Sequence, residues 1–352
     1  MPPFVPVASD HPGSLSAQIT SVAGRDLVLV EVSDEHRRGA LSEADGHTFA
    51  EAAQHALGAG LPLLAVIASS GADVNDGVAA LHGWGSAARM LARCSGRIPV
   101  LIATTGPVVS GPALLLGLAD HVVMTEDSYA FVSGPRMVET FTGESVDATE
   151  LGGAGIHRTS TGLASLVVTD AEAARHALFD LLAYLPSVVD DEPPRWWTRD
   201  PVDRLTPEAG ACIPVSTTGA YDVRDVARSI VDDGDLLELR AHWAPNLVTA
   251  LATVGGRPVG IVANQPMSIA GTLDIPASQK GARFVAFCDA FGLPLLTLVD
   301  TPGFYPGKDL EWRGMIRHGA QLAFAYARAT VPRVAVVLRK AYGGAYIVMD
   351  CR

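Results

Sequence analysis

The chain carries the same landmarks twice. LPLLAVIASSG from Leu61 to Gly71 matches LPLLTLVDTPG from Leu293 to Gly303, displaced by 232 residues. Upstream, GRDLVLVEV from Gly24 matches GRPVGIVAN from Gly256 at the same displacement of 232. Downstream, Pro99 and Gly111 match Pro332 and Gly344, now at 233. Each half reads as a strand, a segment of helical pattern, a proline-led strand ending in a glycine turn, a helix, and a second such strand and turn. Landmarks held in register over that distance constrain the chain to two homologous α/β domains.

The length of 352 residues gives each half enough chain for its own core. The first domain is expected over 17–189, a linker containing prolines and Trp196-Trp197 over 190–235, and the second domain over 236–352. Met1 to Ser16 reads as an extended, proline-rich lead-in. Few residues follow the second turn, whereas the first is followed by the amphipathic stretch Asp170 to Tyr184. The second domain is therefore expected to be incomplete.

A net charge of −12 argues against a nucleic-acid partner, and no run of basic residues offsets it. Cys94, Cys212, Cys288 and Cys351 are far apart and form no C-x-x-C pair, which with no signal peptide predicts a reduced, cytoplasmic protein. No span is long and apolar enough to predict a membrane helix. HEXXH, paired CXXC and P-loop patterns are absent, so no metal site is expected.

Helices are predicted from about Thr48 to Leu57, from Val78 with Asp76 or Asn75 as cap, over Tyr221 to Ile230 with Asp222 as cap, over Ser278 to Phe291, and as one segment from Leu310 to Thr330. The acidic stretch Thr142 to Gly153 reads as a flexible loop. A strand is predicted from Val100 to Ala103, leading into the turn Thr104-Thr105-Gly106-Pro107.

Both glycine turns place a helix start directly after a strand, an arrangement that points unpaired backbone N–H groups at a bound oxygen. An acyl thioester is a weak acid at its α-carbon, and ionisation moves charge onto the carbonyl oxygen. Converging amides hold that charge, one donor contributing on the order of 3 kcal/mol in a dry site. Glycine lets the backbone turn tightly and approach the ligand. The candidate donors are the amides of Ser110 and Gly111 in the first half and of Gly344 and Ala345 in the second. The residues alone leave the substrate open.

The chain resembles the carboxyltransferase (β) subunits of biotin-dependent acyl-CoA carboxylases, the propionyl-CoA and acetyl-CoA carboxylase type. The resemblance is carried by Gly106-Pro107 with Ser110-Gly111, FVSGP from Phe131, FTGE from Phe141, ELGGAGIH from Glu150, DTPGFYPG from Asp300, GMIRHG from Gly314 and RKAYGGAYIVM from Arg339. It implies a tandem crotonase-like fold of β-β-α superhelical units. It also implies transfer of CO2 from carboxybiotin, borne on a separate carrier domain, to the α-carbon of an acyl-CoA or another acyl thioester. The first domain would bind the acyl-CoA through Gly71, Ala72, Gly106, Pro107, Gly134 and Pro135, and Ile347 would sit where the family sets acyl preference. Gly303, Phe304, Tyr342 and Gly343 would face biotin. The implied scheme uses no side-chain base and no metal. The implied partners are a biotin carboxylase or biotin carboxyl carrier subunit and further carboxyltransferase subunits, usually in a hexamer whose active sites lie between subunits.

The biotin-facing motifs keep the family pattern and the acyl-facing ones depart from it. Ser110-Gly111-Pro112 stands where Gly-Gly-Ala is usual, and Asp73 stands where arginine is usual. An Asp73 side chain facing the CoA phosphates would weaken ordinary acyl-CoA, and one facing a neighbouring subunit would affect assembly. Three alternatives follow: a biotin-dependent decarboxylase running the transfer in reverse, a catalytically weak assembly partner, and a hydratase or isomerase, which would want a carboxylate near the first turn.

Overall fold

The computed structural model describes residues 13–34 and 36–350. Most of the lead-in and Cys351 lie outside them. The chain divides into two compact units, Met1–Asp191 and Glu192–Arg352.

In the first unit, β1 (Leu15–Val22) and β2 (Arg25–Val32) form an antiparallel hairpin. α1 (Glu43–Ala59) then crosses to β3 (Leu63–Ser69), and α2 (Val78–Cys94) crosses to β4 (Val100–Val109). The sheet continues through α3 (Leu114–Leu118), β5 (His121–Thr125), β6 (Tyr129–Phe131) and β7 (Leu166–Val168), in the order β1-β2-β3-β4-β5-β7 with β6 pairing β4. Every residue of β3 is buried, the pattern of a parallel strand covered on both faces, which is why it reads as an unbroken apolar run. α4 (Pro135–Thr142), α5 (Ala148–Gly152) and α6 (Ala154–Ile156) follow β6, and α7 (Ala171–Ala183) packs on β4 and β5. Asp147 accepts the Glu150 amide and caps α5, so the stretch expected as a loop is partly helical.

α1 begins five residues before the helix predicted from sequence. Ser42 accepts the Asp45 amide while Asp45 accepts the Ser42 amide, a reciprocal cap that fixes the start. Asp76 does not cap α2; it accepts the Glu43 amide at the start of α1.

The second unit opens with α8 (Pro207–Ala211), α9 (Val223–Ile230) and β8 (Leu237–Leu239). Then come β9 (Leu247–Val254), β10 (Arg257–Asn264), α10 (Ile275–Ala290), β11 (Leu295–Thr301), α11 (Lys308–Trp312), α12 (Met315–Arg328), β12 (Arg333–Ala341) and α13 (Gly343–Val348). Its sheet runs β12-β11-β10-β9-β8. The single helix expected from Leu310 breaks at Gly314, whose φ of 94° is left-handed. Much of the stretch expected as linker packs within this unit: Tyr221, Val223, Val226 and Ala227 lie in its core. The Trp196 amide donates to Gly256 O. No helix among the described residues is long and apolar enough to cross a membrane.

Candidate functional site: two matched amide bays

The duplication extends to the irregularities of the backbone. In the first unit the β3–β4 register jumps between Ile67↔Thr104 and Ser69↔Val108. In the second, β11–β12 jumps between Val299↔Val337 and Thr301↔Ala341. Beyond each jump an isolated parallel bridge forms, Leu41↔Ala72 and Leu273↔Phe304. In the first bridge the Leu41 amide donates to Gly71 O and the Asp73 amide to Leu41 O; in the second, Leu273 donates to Gly303 O and Tyr305 to Leu273 O. A hydroxyl closes each turn: Ser69 Oγ accepts the Gly71 amide at 3.2 Å and Thr301 Oγ1 accepts the Gly303 amide at 3.3 Å.

This geometry turns the amides of Ala72 and Phe304 away from their bridges. Among the described residues neither has a backbone or side-chain acceptor. The amides of Gly111, opening a 3-10 turn, and of Gly343, Gly344 and Ala345, opening α13, are likewise free of helical partners, as the first N–H groups of any helix are. In the first unit the two amide sources are adjacent: a Cβ on Gly71 would fall 3.2 Å from Ser110 Cβ and 3.3 Å from Val109 O. In the second, the Phe304 ring lies 3.8 Å from the Cβ position of Gly344, and a cavity of about 250 Å³ opens beside it between Phe304, Met315, Gly319 and Val348.

Ser110 is corrected by the structure. Its amide donates to Phe131 O at 2.9 Å, so it cannot serve a ligand. The unpartnered amide beside Gly111 is instead that of Ala72, which the resemblance places among the acyl-CoA-binding residues. Gly106-Pro107, expected in a turn, lie inside β4, with Pro107 opposite Tyr129. The register jump accommodates Pro107, which lacks an N–H for the ladder. Gly134-Pro135 open α4, Pro135 taking the first helical position.

Trp84 forms one wall of the first bay. A methyl at Gly111 would meet its ring at 2.7 Å, and the indole Nε1–H is buried without a partner. Sequence reading missed Trp84, whose position on a predicted helix gave no cue to this contact. Asp73 does not face open solvent. It is buried, accepts the Asn75 amide at 2.9 Å and Arg37 at 2.6 Å, and these bonds hold its carboxyl below the usual range. His157 bonds Ala130 O and Thr161 Oγ1 within the first unit, and His318 bonds Gln279 in the second.

The second bay rests on Asp300. This fully buried carboxylate accepts from Tyr221 OH at 2.8 Å, Arg339 Nε at 3.1 Å and the Lys340 amide at 3.2 Å. Burial first, and then Asp300, push the Tyr221 hydroxyl above its ordinary range. Arg339 also donates to Ser216 O and Gly219 O. The DTPG loop and the start of the glycine turn are thereby fastened to one anchor. Tyr342 and Ile347 project into solvent from that turn, being 55% and 68% exposed.

The family described as "Carboxyl transferase domain" matches residues 11–352. The chain is 43% identical over 88% of its length to the methylmalonyl-CoA carboxyltransferase 12S subunit of Propionibacterium freudenreichii subsp. shermanii, covering 59% of that protein. It is 42% identical over 89% of its length to the human mitochondrial propionyl-CoA carboxylase beta chain, covering 58%. It is 40% identical over 88% to the methylmalonyl-CoA decarboxylase subunit alpha of Propionigenium modestum, covering 60%. The chain thus spans about three fifths of the length of these curated relatives. The crystal structure of the transcarboxylase 12S hexamer with methylmalonyl-coenzyme A and methylmalonic acid bound superposes with a TM-score of 0.96 at 38% identity, over 98% of this chain and 71% of that one. The fold is therefore the tandem crotonase-related one that the resemblance implied, built on the two α/β units read from the duplication.

Proposed function

The chain belongs to the carboxyl transferase domain family, and from that premise we propose that it transfers a carboxyl group between biotin on a partner's carrier domain and the α-carbon of an acyl-CoA. The observation that carries this reading is the matched pair of bays, each joining a bridge amide to a helix-start amide.

In this reading the amides of Ala72 and Gly111 would hold the thioester oxygen while the α-proton passes to the biotin ring nitrogen that has given up its carboxyl group. Two preset N–H dipoles stabilise the charge on that oxygen without having to reorient during the reaction. The absence of a methyl on Gly111 lets the Trp84 ring close against the backbone beside that donor. In the second unit, Phe304, Gly344 and Ala345 present amides of the same kind, and Tyr342 and Gly303 flank them. Those donors would hold the ureido oxygen of biotin and stabilise negative charge on it. Carboxybiotin supplies the CO2. Asp300 holds the turn in place through Arg339 and Lys340 and takes no part in proton transfer. The first unit of one subunit works with the second unit of another, as part of an oligomer with a biotin carboxylase or carrier partner. Ile347 offers an aliphatic surface to the acyl chain.

Decarboxylation is a second reading, favoured by the 40% identity to the methylmalonyl-CoA decarboxylase subunit alpha. The same bays serve either direction. The test is a carboxylation assay with the protein, a purified biotinylated partner and a panel of acyl thioesters. Label from bicarbonate should enter an acyl-CoA only when the partner is present. Loss of carboxyl from a malonyl-type thioester, with no forward transfer, would establish the reverse direction. Neither activity with any thioester overturns the reading.

A further inference from the structure

Outside the bays, Glu43, His47 and His82 converge on the surface of the first unit. Glu43 and His47 stand four residues apart on α1 and share a face. His82 comes from the second turn of α2. Glu43 Oε1 lies 3.7 Å from His47 Nε2 and 3.7 Å from His82 Nδ1, and one donor atom from each residue falls within 4.8 Å of the others. The two imidazole centroids are 5.4 Å apart.

The backbone beneath them is fixed. A Cβ on Gly46 would fall 2.1 Å from the carbonyl carbon of Gly83, and one on Gly83 would fall 2.8 Å from the Glu43 Cα. α1 and α2 therefore touch main chain to main chain, at positions adjoining all three side chains. The reciprocal cap of Ser42 and Asp45 anchors the start of α1 immediately before Glu43. The spacing of the three donors is thus set by a helix contact that excludes even a methyl group.

We propose that this trio binds one divalent transition-metal ion of the zinc, nickel and copper series, with water completing the coordination. Two imidazole nitrogens and a carboxylate oxygen suit those ions, whereas magnesium and calcium prefer oxygen ligands throughout. Metal–donor distances of about 2.0–2.1 Å place tetrahedral donors about 3.4 Å apart, so the 3.7 Å pairs need to close by a few tenths of an ångström and the two imidazole nitrogens, within 4.8 Å of each other, by up to about 1.4 Å. The side chains are 46–67% exposed and can make that adjustment without moving the helices. A bound ion would tie α1 to α2 two residues from Trp84, the wall of the first bay.

The molecule contains its own control. Glu172 and His176 on α7 repeat the four-residue spacing, with 3.9 Å between Oε1 and Nε2. No third metal ligand is grouped with them among the described residues. Zinc chloride titrated calorimetrically into chelator-treated full chain should bind with one equivalent. His82→Ala, His47→Ala and Glu43→Gln should each weaken binding roughly tenfold or more, while His176→Ala leaves it unchanged. Zinc should also raise the melting temperature of the wild type and not of His82→Ala. Matching melting temperatures without metal would show that all the variants fold. Absence of binding, or binding equally tight in His82→Ala, overturns the proposal; the latter result means adventitious zinc on other histidines.

Discussion

Ser110 occupies backbone that L-residues rarely enter. Its φ of 64° and ψ of −148° belong to a region used almost only by glycine, at a cost of about 1–3 kcal/mol for any other residue. The strain persists because the Ser110 amide is held by Phe131 O and the residues on either side are fixed, Val109 by β6 and Gly111 by the 3-10 turn. Ser110→Gly should therefore raise stability by about 1 kcal/mol, read from the midpoint of urea unfolding, with the β4–β6 pairing unchanged. A lower midpoint would show that the serine side chain stabilises the turn. Gly344 is the converse case. Its φ is not left-handed and its Cβ position is 3.8 Å from the nearest atom, so Gly344→Ala should change stability by less than about 1 kcal/mol. In the proposed mechanism a methyl there stands in the ligand's path, and carboxyl transfer should drop by roughly 10²-fold, comparable with loss of one donor. Unchanged transfer in that variant would remove Gly344 from the site.

At the scale of elements, the two bays share strand order, register jump and bridge, yet they are braced differently. The second is pinned by the buried Asp300, with Arg339 at 10% exposure and Tyr221 as partners. The equivalent position in the first unit is Ala68, and there β6 supplies the support by pairing with β4. Asp300→Asn would leave the Arg339 guanidinium without its counter-charge. It should destabilise the second unit by about 3 kcal/mol, measured by circular dichroism in urea. A loss below about 1 kcal/mol would mean that Ser216 O and Gly219 O alone hold Arg339. This difference also explains what sequence could reveal. The central strands were legible because burial on both faces makes them apolar throughout, and the turns were legible because glycine is favoured where the backbone bends sharply. The partner of the Ser110 amide was not, since it depends on a three-residue strand arriving from twenty residues downstream. The extension of β4 through Gly106-Pro107 was hidden for the same reason: proline normally ends a strand, and only the register jump admits it here. The role of Asp73 was obscured by comparison with the family pattern, which suggested an outward charge where the fold turns it onto Arg37.

At the scale of the whole molecule, each unit leaves apolar side chains in solvent. Val78 and Phe141 are each 80% exposed in the first unit, and Ile316 and Ile347 are 83% and 68% exposed in the second. α4, which carries Phe141, buries none of its residues. A net charge of −12 opposes random association of copies, so apolar surface of this extent calls for a specific partner surface. Transfer of CO2 also demands that two amide bays, borne on separate units, act on one reaction. Both requirements are met if the first unit of one subunit seats against the second unit of another. Sedimentation velocity should then show a discrete assembly larger than a monomer. Phe141→Asp and Ile316→Asp should each shift the distribution toward smaller species, because an ionised carboxylate buried without a partner is strongly unfavourable. Carboxyl transfer should fall in parallel, while the melting temperature in dilute solution stays close to that of the wild type, since both side chains are exposed within the chain itself. A monomer that transfers carboxyl groups at full rate would contradict the shared site, and would require both bays of a single chain to work together.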